Sequence, residues 1–381
     1  MIDFLQSFDY SKPLSLYIHI PFCLSKCSYC AFYSIANHDS DIRDKYVQRL
    51  LLEIETVNDL MKGQCFETAF IGGGNPGCLG SYNLEKIAKA VCKNGRPREF
   101  SVEMNPESLD YEYFPLFETY FTRLSMGIQS LNSDALAFLE RNASLEDTIK
   151  GLNISQEVKS KTGCNLSYDL ITCLGPWHDE KADLEALLKG YPSDHISVYA
   201  LTLEEGTELF NKGTIIPDSE KQYEILSNIW QILNKNGFEH YEVSNFAKEG
   251  KRCIHNCKYW SYKQYMGLGA GAASTAFDSL GKVRRFNYKA SVCDYIAGNC
   301  FTGWDCEELS TKEAAEELIF MGLRHKEGLN LERFKKMTGK TFDMAFLNGV
   351  EGFVVKDGFL VPTEQGLMLS DAAAESIIDY I

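Results

Sequence analysis

The chain has 381 residues, of which 45% are hydrophobic, 24% charged and 12% aromatic, a composition that excludes a mainly disordered or fibrous protein and supplies a core that folds without disulfides. The 38 Lys and Arg against 53 Asp and Glu leave a net charge of −15, which opposes general binding to nucleic acid or anionic lipid. No apolar run reaches the roughly 18 residues of a membrane span, and the start MIDFLQSFDYSKPLSLY lacks a basic region followed by an unbroken apolar run, so a cytoplasmic protein is expected.

Short β-rich runs alternate with helix-like stretches over the first 240 residues. The strands are expected at Leu14–Ile20, Thr68–Gly72, Phe100–Met104, Arg123–Ile128, Leu166–Thr172 and His195–Leu201. The helices are expected at Asp41–Leu60, Leu84–Cys92, Ser133–Leu139, Leu145–Lys159, Glu180–Leu188 and Ser219–Asn236. Such strand-then-helix units imply a parallel sheet with right-handed crossovers, an α/β fold of partial (β/α)6 barrel type, with function at the C-terminal ends of the strands. Residues 241–305 read as an irregular connector rich in Gly, Asn and aromatic residues. Residues 306–381 read as a small C-terminal domain, with a helix from Thr311, a second at Leu331–Thr338, the hairpin-like FVVKDGFLVP and a last short helix, together resembling a winged helix.

The 13 cysteines, an odd number, are expected to be mostly free thiols in a reducing compartment. Directly after the first strand, YIHIPFCLSKCSYCAFYS sets Cys23, Cys27 and Cys30 in a C-x3-C-x2-C loop. Three soft thiolates so spaced can bind three corners of an iron–sulfur cube and leave the fourth iron open to a small chelating molecule. Zinc would need a fourth ligand, and His19 belongs to the strand rather than the loop. Cys65, Cys78, Cys92 and Cys164 are scattered and read as packing residues.

This loop resembles the motif of the radical S-adenosylmethionine (SAM) superfamily. With FIGGGNP, VEMNPE, RLSMGIQS, YDLI and HISVYALTLEEGT, it resembles the oxygen-independent coproporphyrinogen oxidase-like branch from Leu14 to Ser274, with a related C-terminal region. The resemblance implies a [4Fe–4S] cluster on Cys23, Cys27 and Cys30, whose open iron binds SAM and whose electron cleaves the sulfonium to a 5′-deoxyadenosyl radical. It implies further that Tyr17, Tyr29, Gly72, Gly73, Gly74, Asn75, Glu103, Gln129, Arg141, Asp169 and Ala200 surround SAM. Three positions depart from the pattern: Asn75 replaces a threonine, ERNAS after Gln129 lacks a histidine, and Ala273 stands where histidine is common.

Two relatives share this framework. The oxidase carries a fourth cysteine two residues after the third and a long N-terminal arm, whereas here Phe32 holds that position and 22 residues precede Cys23. The heme chaperone carries H-N-x-x-Y-W, matched by His255-Asn256-Cys257-Lys258-Tyr259-Trp260. An imidazole can ligate heme iron, and Tyr and Trp offer flat apolar faces to the macrocycle. Cys253 and Cys257 flank His255 but read as free thiols. The resemblance therefore implies a chaperone that binds heme through His255, Tyr259 and Trp260 and delivers it to apo-hemoproteins, including respiratory, membrane-associated ones, with homodimerisation an open expectation and nucleic acid excluded. The rivals are a coproporphyrinogen III dehydrogenase and a noncatalytic α/β scaffold stabilised by its cluster.

Overall fold

The structure, a computed structural model, describes residues 4–36, 38–278 and 281–381. Six strands lie side by side in chain order and run parallel: β1 (Ser15–Ile20), β2 (Thr68–Gly73), β3 (Glu99–Met104), β4 (Arg123–Gln129), β5 (Asn165–Thr172) and β6 (His195–Ala200). Each forms where the sequence expectation placed it. The apolar residues at Leu16, Ile18, Ala69, Ile71, Val102, Leu124 and Leu166 are buried, as in a parallel sheet covered by its crossover helices.

Those helices follow the same logic. Ser40–Leu60, Gly80–Val91, Leu145–Thr162 and Glu180–Gly190 return the chain from one strand to the next. The longest of the later ones, Leu145–Thr162, starts at a capping box between Ser144 and Asp147 and stops at Gly163, whose φ of 72° closes the helix in the left-handed region. The C-terminal ends of all six strands therefore lie along one edge, and the loops there can converge.

The sheet does not close into a barrel. The stretch that reads as a connector instead supplies strands to both of its edges. On one side β7 (Glu239–Glu242) and β8 (Asn245–Ala247) form a hairpin whose second strand pairs antiparallel with β6. On the other, β9 (Tyr265–Leu268) pairs parallel with β1, and β10 (Ala273–Phe277), β11 (Val283–Tyr288) and β12 (Trp304–Glu308) continue outward. Strands as short as Asn245–Ala247 carry too few residues for a period of two to register, so pairing with an existing edge makes them strands.

The last segment has its own core of Leu318, Ile319, Phe334, Leu347, Leu360 and Ile377. It holds helices Thr311–Leu323, Leu331–Thr338 and Ser370–Tyr380 with a three-stranded sheet of β13 (Leu329–Asn330), β14 (Phe353–Lys356) and β15 (Phe359–Pro362). No helix among the described residues is long and apolar enough to cross a membrane.

Candidate cluster site and a second cavity

The cysteine loop leaves β1 at Ile20 and is held at its base by backbone bonds from Cys23 N–H to the Ile35 carbonyl (3.0 Å) and from Ile35 N–H to the Pro21 carbonyl (2.7 Å). Farther along, Ser28 N–H reaches the Leu139 carbonyl at 3.4 Å, and Leu209 N–H reaches the Ser28 carbonyl at 2.9 Å. Cys23, Cys27 and Cys30 all line one cavity of about 350 Å³ at the C-terminal ends of the strands. Burial pushes the Cys23 thiol up to about 11, the neighbouring Cys30 and Cys27 adding to the shift against a hydrogen bond from Ser34. Burial raises Cys30 as well. The Cys23 and Cys30 thiols therefore resist ionising unless a cation joins them.

The glycine run meets this loop. Gly73 has φ of 110°, and a Cβ there would fall 2.6 Å from the His19 ring. At Gly74 a Cβ would fall 2.9 Å from Cys23 Sγ and 2.7 Å from the Phe22 carbonyl oxygen, so only glycine lets β2 end against the loop. Across the cavity Arg141 lies 3.5 Å from Cys27 Sγ and from the Tyr29 hydroxyl, and donates to the Gly127 carbonyl at 2.7 Å. Its Nε finds no partner.

Two half-buried carboxyl groups, Glu103 and Asp169, face the same space. Burial pushes Glu103 up to about 8, Asp169 nearby adding to the shift while the Gly73 N–H opposes it. Burial pushes Asp169 up to about 6 against hydrogen bonds from Ser197 and Ser125, and its Oδ1 has no partner. A carboxyl left unpaired in a buried site is costly, so this pair suits a ligand bringing an ammonium group or hydroxyls. Gln129, at the end of β4, lines the same cavity and stands in the left-handed region with φ of 63°.

Of the residues expected around SAM, Tyr29, Gly73, Gly74, Glu103, Gln129, Arg141, Asp169 and Ala200 line this cavity together with the three cysteines. Asn75, Gly72 and Tyr17 are not among its lining residues. Asn75 is buried against the β3 loop, donating to Ser108 Oγ at 2.7 Å and accepting from Asn105 N–H at 3.2 Å. Gly72 lies beneath, where a Cβ would fall 2.5 Å from the Glu103 carboxylate. Sequence reasoning missed Ser125, Asn105, Ile171, Tyr199 and Leu201 in the lining. The signal was the period of two: Ser125, Gly127 and Gln129 alternate along β4, as do Asp169 and Ile171 along β5.

Beside this space lies a second cavity of about 540 Å³ with aromatic walls from Tyr17, Tyr33, Tyr259, Trp260, Tyr262 and Tyr265. His19, Met321, Lys263, Arg285 and Ala273 complete much of it, and Phe32 lines both cavities. His19 bonds the Tyr17 hydroxyl through Nδ1 at 3.0 Å and the Tyr33 carbonyl through Nε2 at 2.9 Å, leaving no ring nitrogen for a metal. From the H-N-x-x-Y-W element, Tyr259 and Trp260 reach the cavity and His255 does not. His255 is fully buried behind Tyr259, with Nε2 at 2.7 Å from the Tyr259 hydroxyl and Nδ1 at 2.8 Å from Thr68 Oγ1. Burial and the nearby Lys258 pull it down to about 3, so it is neutral. Cys253 and Cys257 line neither cavity.

Residues 17–188 match the model of the radical SAM superfamily, and residues 309–374 match that of the HemN C-terminal domain. The heme chaperone HemW of Bacillus subtilis is 32% identical over 374 residues, covering 93% of this chain and 95% of that protein. The chain belongs to the radical SAM superfamily, in its HemW branch. The HemW of Lactococcus lactis is 32% identical over 88% of both chains, and that of Escherichia coli 30% identical over 72% of this chain and 73% of its own. The fold is shared more widely: coproporphyrinogen III oxidase (HemN) from Escherichia coli superposes with a TM-score of 0.81 at 20% identity, over 99% of this chain and 93% of that one.

Membership of the radical SAM superfamily implies a [4Fe–4S] cluster and SAM. The residues of this HemW-branch chain fit both groups. Three thiols spread along one cavity wall suit the separate corners of a cluster. The unpartnered Asp169 Oδ1 and Arg141 Nε in that cavity are the polar atoms a SAM-sized ligand would satisfy.

Proposed function

We propose that this protein is a heme chaperone of the cytoplasm, built on the radical SAM fold, that binds heme and passes it to apo-hemoproteins. The observation carrying this reading is the second cavity: aromatic walls that include Tyr259 and Trp260, two cations at Lys263 and Arg285, and a wall shared through Phe32 with the cysteine cavity. Flat aromatic faces suit a macrocycle, and Lys and Arg suit its propionate carboxylates. The naming of the HemW relatives as heme chaperones supports the same reading.

In this reading Cys23, Cys27 and Cys30 would hold the cluster, which would supply one-electron reducing chemistry to a bound SAM. The protein's own groups do the rest. Tyr29, Gly73, Gly74, Gln129 and Ala200 enclose SAM, Glu103 and Asp169 accept hydrogen bonds from it, and Arg141 sets a positive charge beside Cys27. Gly72 and Asn75 support that site from behind, Tyr17 stands in the wall of the second cavity, and His255, Tyr259 and Trp260 form the heme element. The acceptors would include respiratory, membrane-associated hemoproteins.

Titration of the reconstituted protein with hemin tests the reading: a saturable Soret shift, and transfer of the bound heme to apomyoglobin, are expected. Absence of any Soret change would overturn it. The fold shared with the oxidase favours one other reading, a coproporphyrinogen III dehydrogenase. Anaerobic incubation with SAM, a reductant and coproporphyrinogen III decides between them, protoporphyrinogen formation favouring the dehydrogenase.

A further inference from the structure

Behind the cysteine cavity stands a buried cluster of titratable side chains that line neither cavity. His178 lies in the loop after β5, against two carboxylates from the first turn of helix Glu180–Gly190. Its Nε2 is 2.9 Å from Asp183 Oδ2, and its Nδ1, which has no hydrogen-bond partner, is 3.7 Å from Glu180 Oε1. Only a charged imidazole carries a proton on both nitrogens and so answers both carboxylates. Lys221, in helix Ser219–Lys235, also acts on Glu180 but is paired with Glu224 at 2.7 Å. The remaining neighbours of the imidazole are the Ser130 hydroxyl at 3.5 Å and the Trp177 ring.

The two carboxylates reach beyond the histidine to the ends of adjacent strands. Asp183 also accepts from the Ser130 hydroxyl, and Glu180 Oε1 accepts from Cys173 N–H at 3.0 Å. Ser130 directly follows Gln129, and both Gln129 and Cys173 stand at φ of 63°, where β4 and β5 end. Left-handed backbone outside glycine persists only where the surroundings over-determine it. The register of β4 shifts between Gly127 and Gln129, a bulge that turns the glutamine back over the strand, so that a Cβ on Gly127 would fall 2.7 Å from Gln129 Nε2. Gln129 and Ile171 line the cysteine cavity, and Ile171 and Leu174, on either side of Cys173, pack with Tyr29 of the cysteine loop.

We propose, on the reading that SAM occupies the cysteine cavity, that His178 is a positioning residue for it: clasped by Asp183 and Glu180, it fixes the ends of β4 and β5 and so sets Gln129 and Ile171 against the ligand. Loss of the imidazole charge leaves two carboxylates three residues apart on one helical turn with no cation between them, and like charges so spaced repel. As they part, Ser130 and the Cys173 N–H lose their acceptors, and the strained strand ends relax. The cavity is then in its binding arrangement for a smaller fraction of the time, and the apparent affinity for SAM falls by that fraction.

The test is calorimetric titration of the reconstituted full chain with SAM, without reductant, for the wild type, His178→Gln and Ser130→Ala. Wild-type affinity is expected to rise as Glu103, pushed up to about 8 by burial and Asp169, ionises. It is expected to fall again as His178, pulled down by burial but raised to about 9 by Asp183 and Glu180, loses its proton. His178→Gln is expected to bind SAM about fivefold more weakly below that pH, to keep the rise and to lose the fall. Ser130→Ala cuts the link to β4 while leaving the clasp on His178 in place, and is expected to weaken binding as well; should His178→Gln fail to fold, Ser130→Ala decides. Binding stoichiometry counts folded molecules and the dissociation constant reads the shape of the cavity, so a histidine that only stabilises the fold lowers the first and leaves the second. Wild-type dissociation constants in both variants, or a fall that persists in His178→Gln, would overturn the assignment. A wild type that binds no SAM at any pH defeats the reading of the cavity instead.

Discussion

Gly74→Ala puts the junction of β2 and the cysteine loop under direct load. The added methyl would lie 2.7 Å from the Phe22 carbonyl oxygen, 2.9 Å from Cys23 Sγ and 3.0 Å from the Ile20 carbonyl oxygen. Both carbonyls already accept backbone bonds, from Asn75 N–H at 2.7 Å and from Gly74 N–H at 2.8 Å, so neither can retreat without breaking the link between strand and loop. Forcing one carbon into such a space costs about 1–3 kcal/mol. If Cys23 holds the cluster as proposed, that strain falls on cluster binding as well, where about 1–3 kcal/mol corresponds to a roughly 5- to 150-fold loss. Gly190→Ala is the matched control, since a Cβ there meets nothing within 4 Å. Iron content after anaerobic reconstitution, together with urea denaturation of the metal-free chains, measures the two effects. A Gly74→Ala protein with the iron content and denaturation midpoint of the wild type would refute the steric argument.

Other outcomes follow from the same geometry. His178 is clasped by Asp183 at 2.9 Å and Glu180 at 3.7 Å, and although burial pulls it down, these partners raise it to about 9. A pKa raised on folding gives stability that is complete below the unfolded value of about 6.5 and lost as pH climbs through about 9; denaturation midpoints should fall across that window, and His178→Gln should flatten the fall. Glu103, raised to about 8, must be ionised to receive an ammonium group; SAM affinity measured by calorimetry should increase as pH rises through about 8, and Glu103→Gln should remove that slope. Ser144→Ala breaks the capping box of helix Leu145–Thr162 and should cost about 1 kcal/mol in denaturation while leaving iron content unchanged.

The sequence made the six parallel strands readable because each is a compact apolar run flanked by helix-forming stretches, and each differs from expectation by one residue at one end. The cysteine loop was readable because its chemistry is local. What escaped depends on partners far along the chain. Asn245–Ala247 becomes a strand through pairing with Ile196 and its neighbours, a contact no local pattern announces. His255 stands where the motif suggests a ligand, yet which side of its short helix faces the cavity is decided by Thr68, 187 residues away, which claims the ring nitrogen. Asn75 sits in a glycine-rich turn that reads as a cofactor contact, but its side chain is taken by Ser108 and Asn105.

The hairpin of β7 and β8 against β6, and β9 against β1, have a consequence for dissection of the chain. Residues after Gly237 travel to opposite flanks of the six-stranded block and cover both of its outer rows of backbone donors and acceptors. A fragment ending before Glu239 would keep every cysteine-loop residue and still expose two bare parallel edges, each a template for association with another copy. Cluster chemistry in this protein is thus tied to the late-emerging chain: ribosomes must finish the outer strands before the inner ones stop being a hazard to their neighbours.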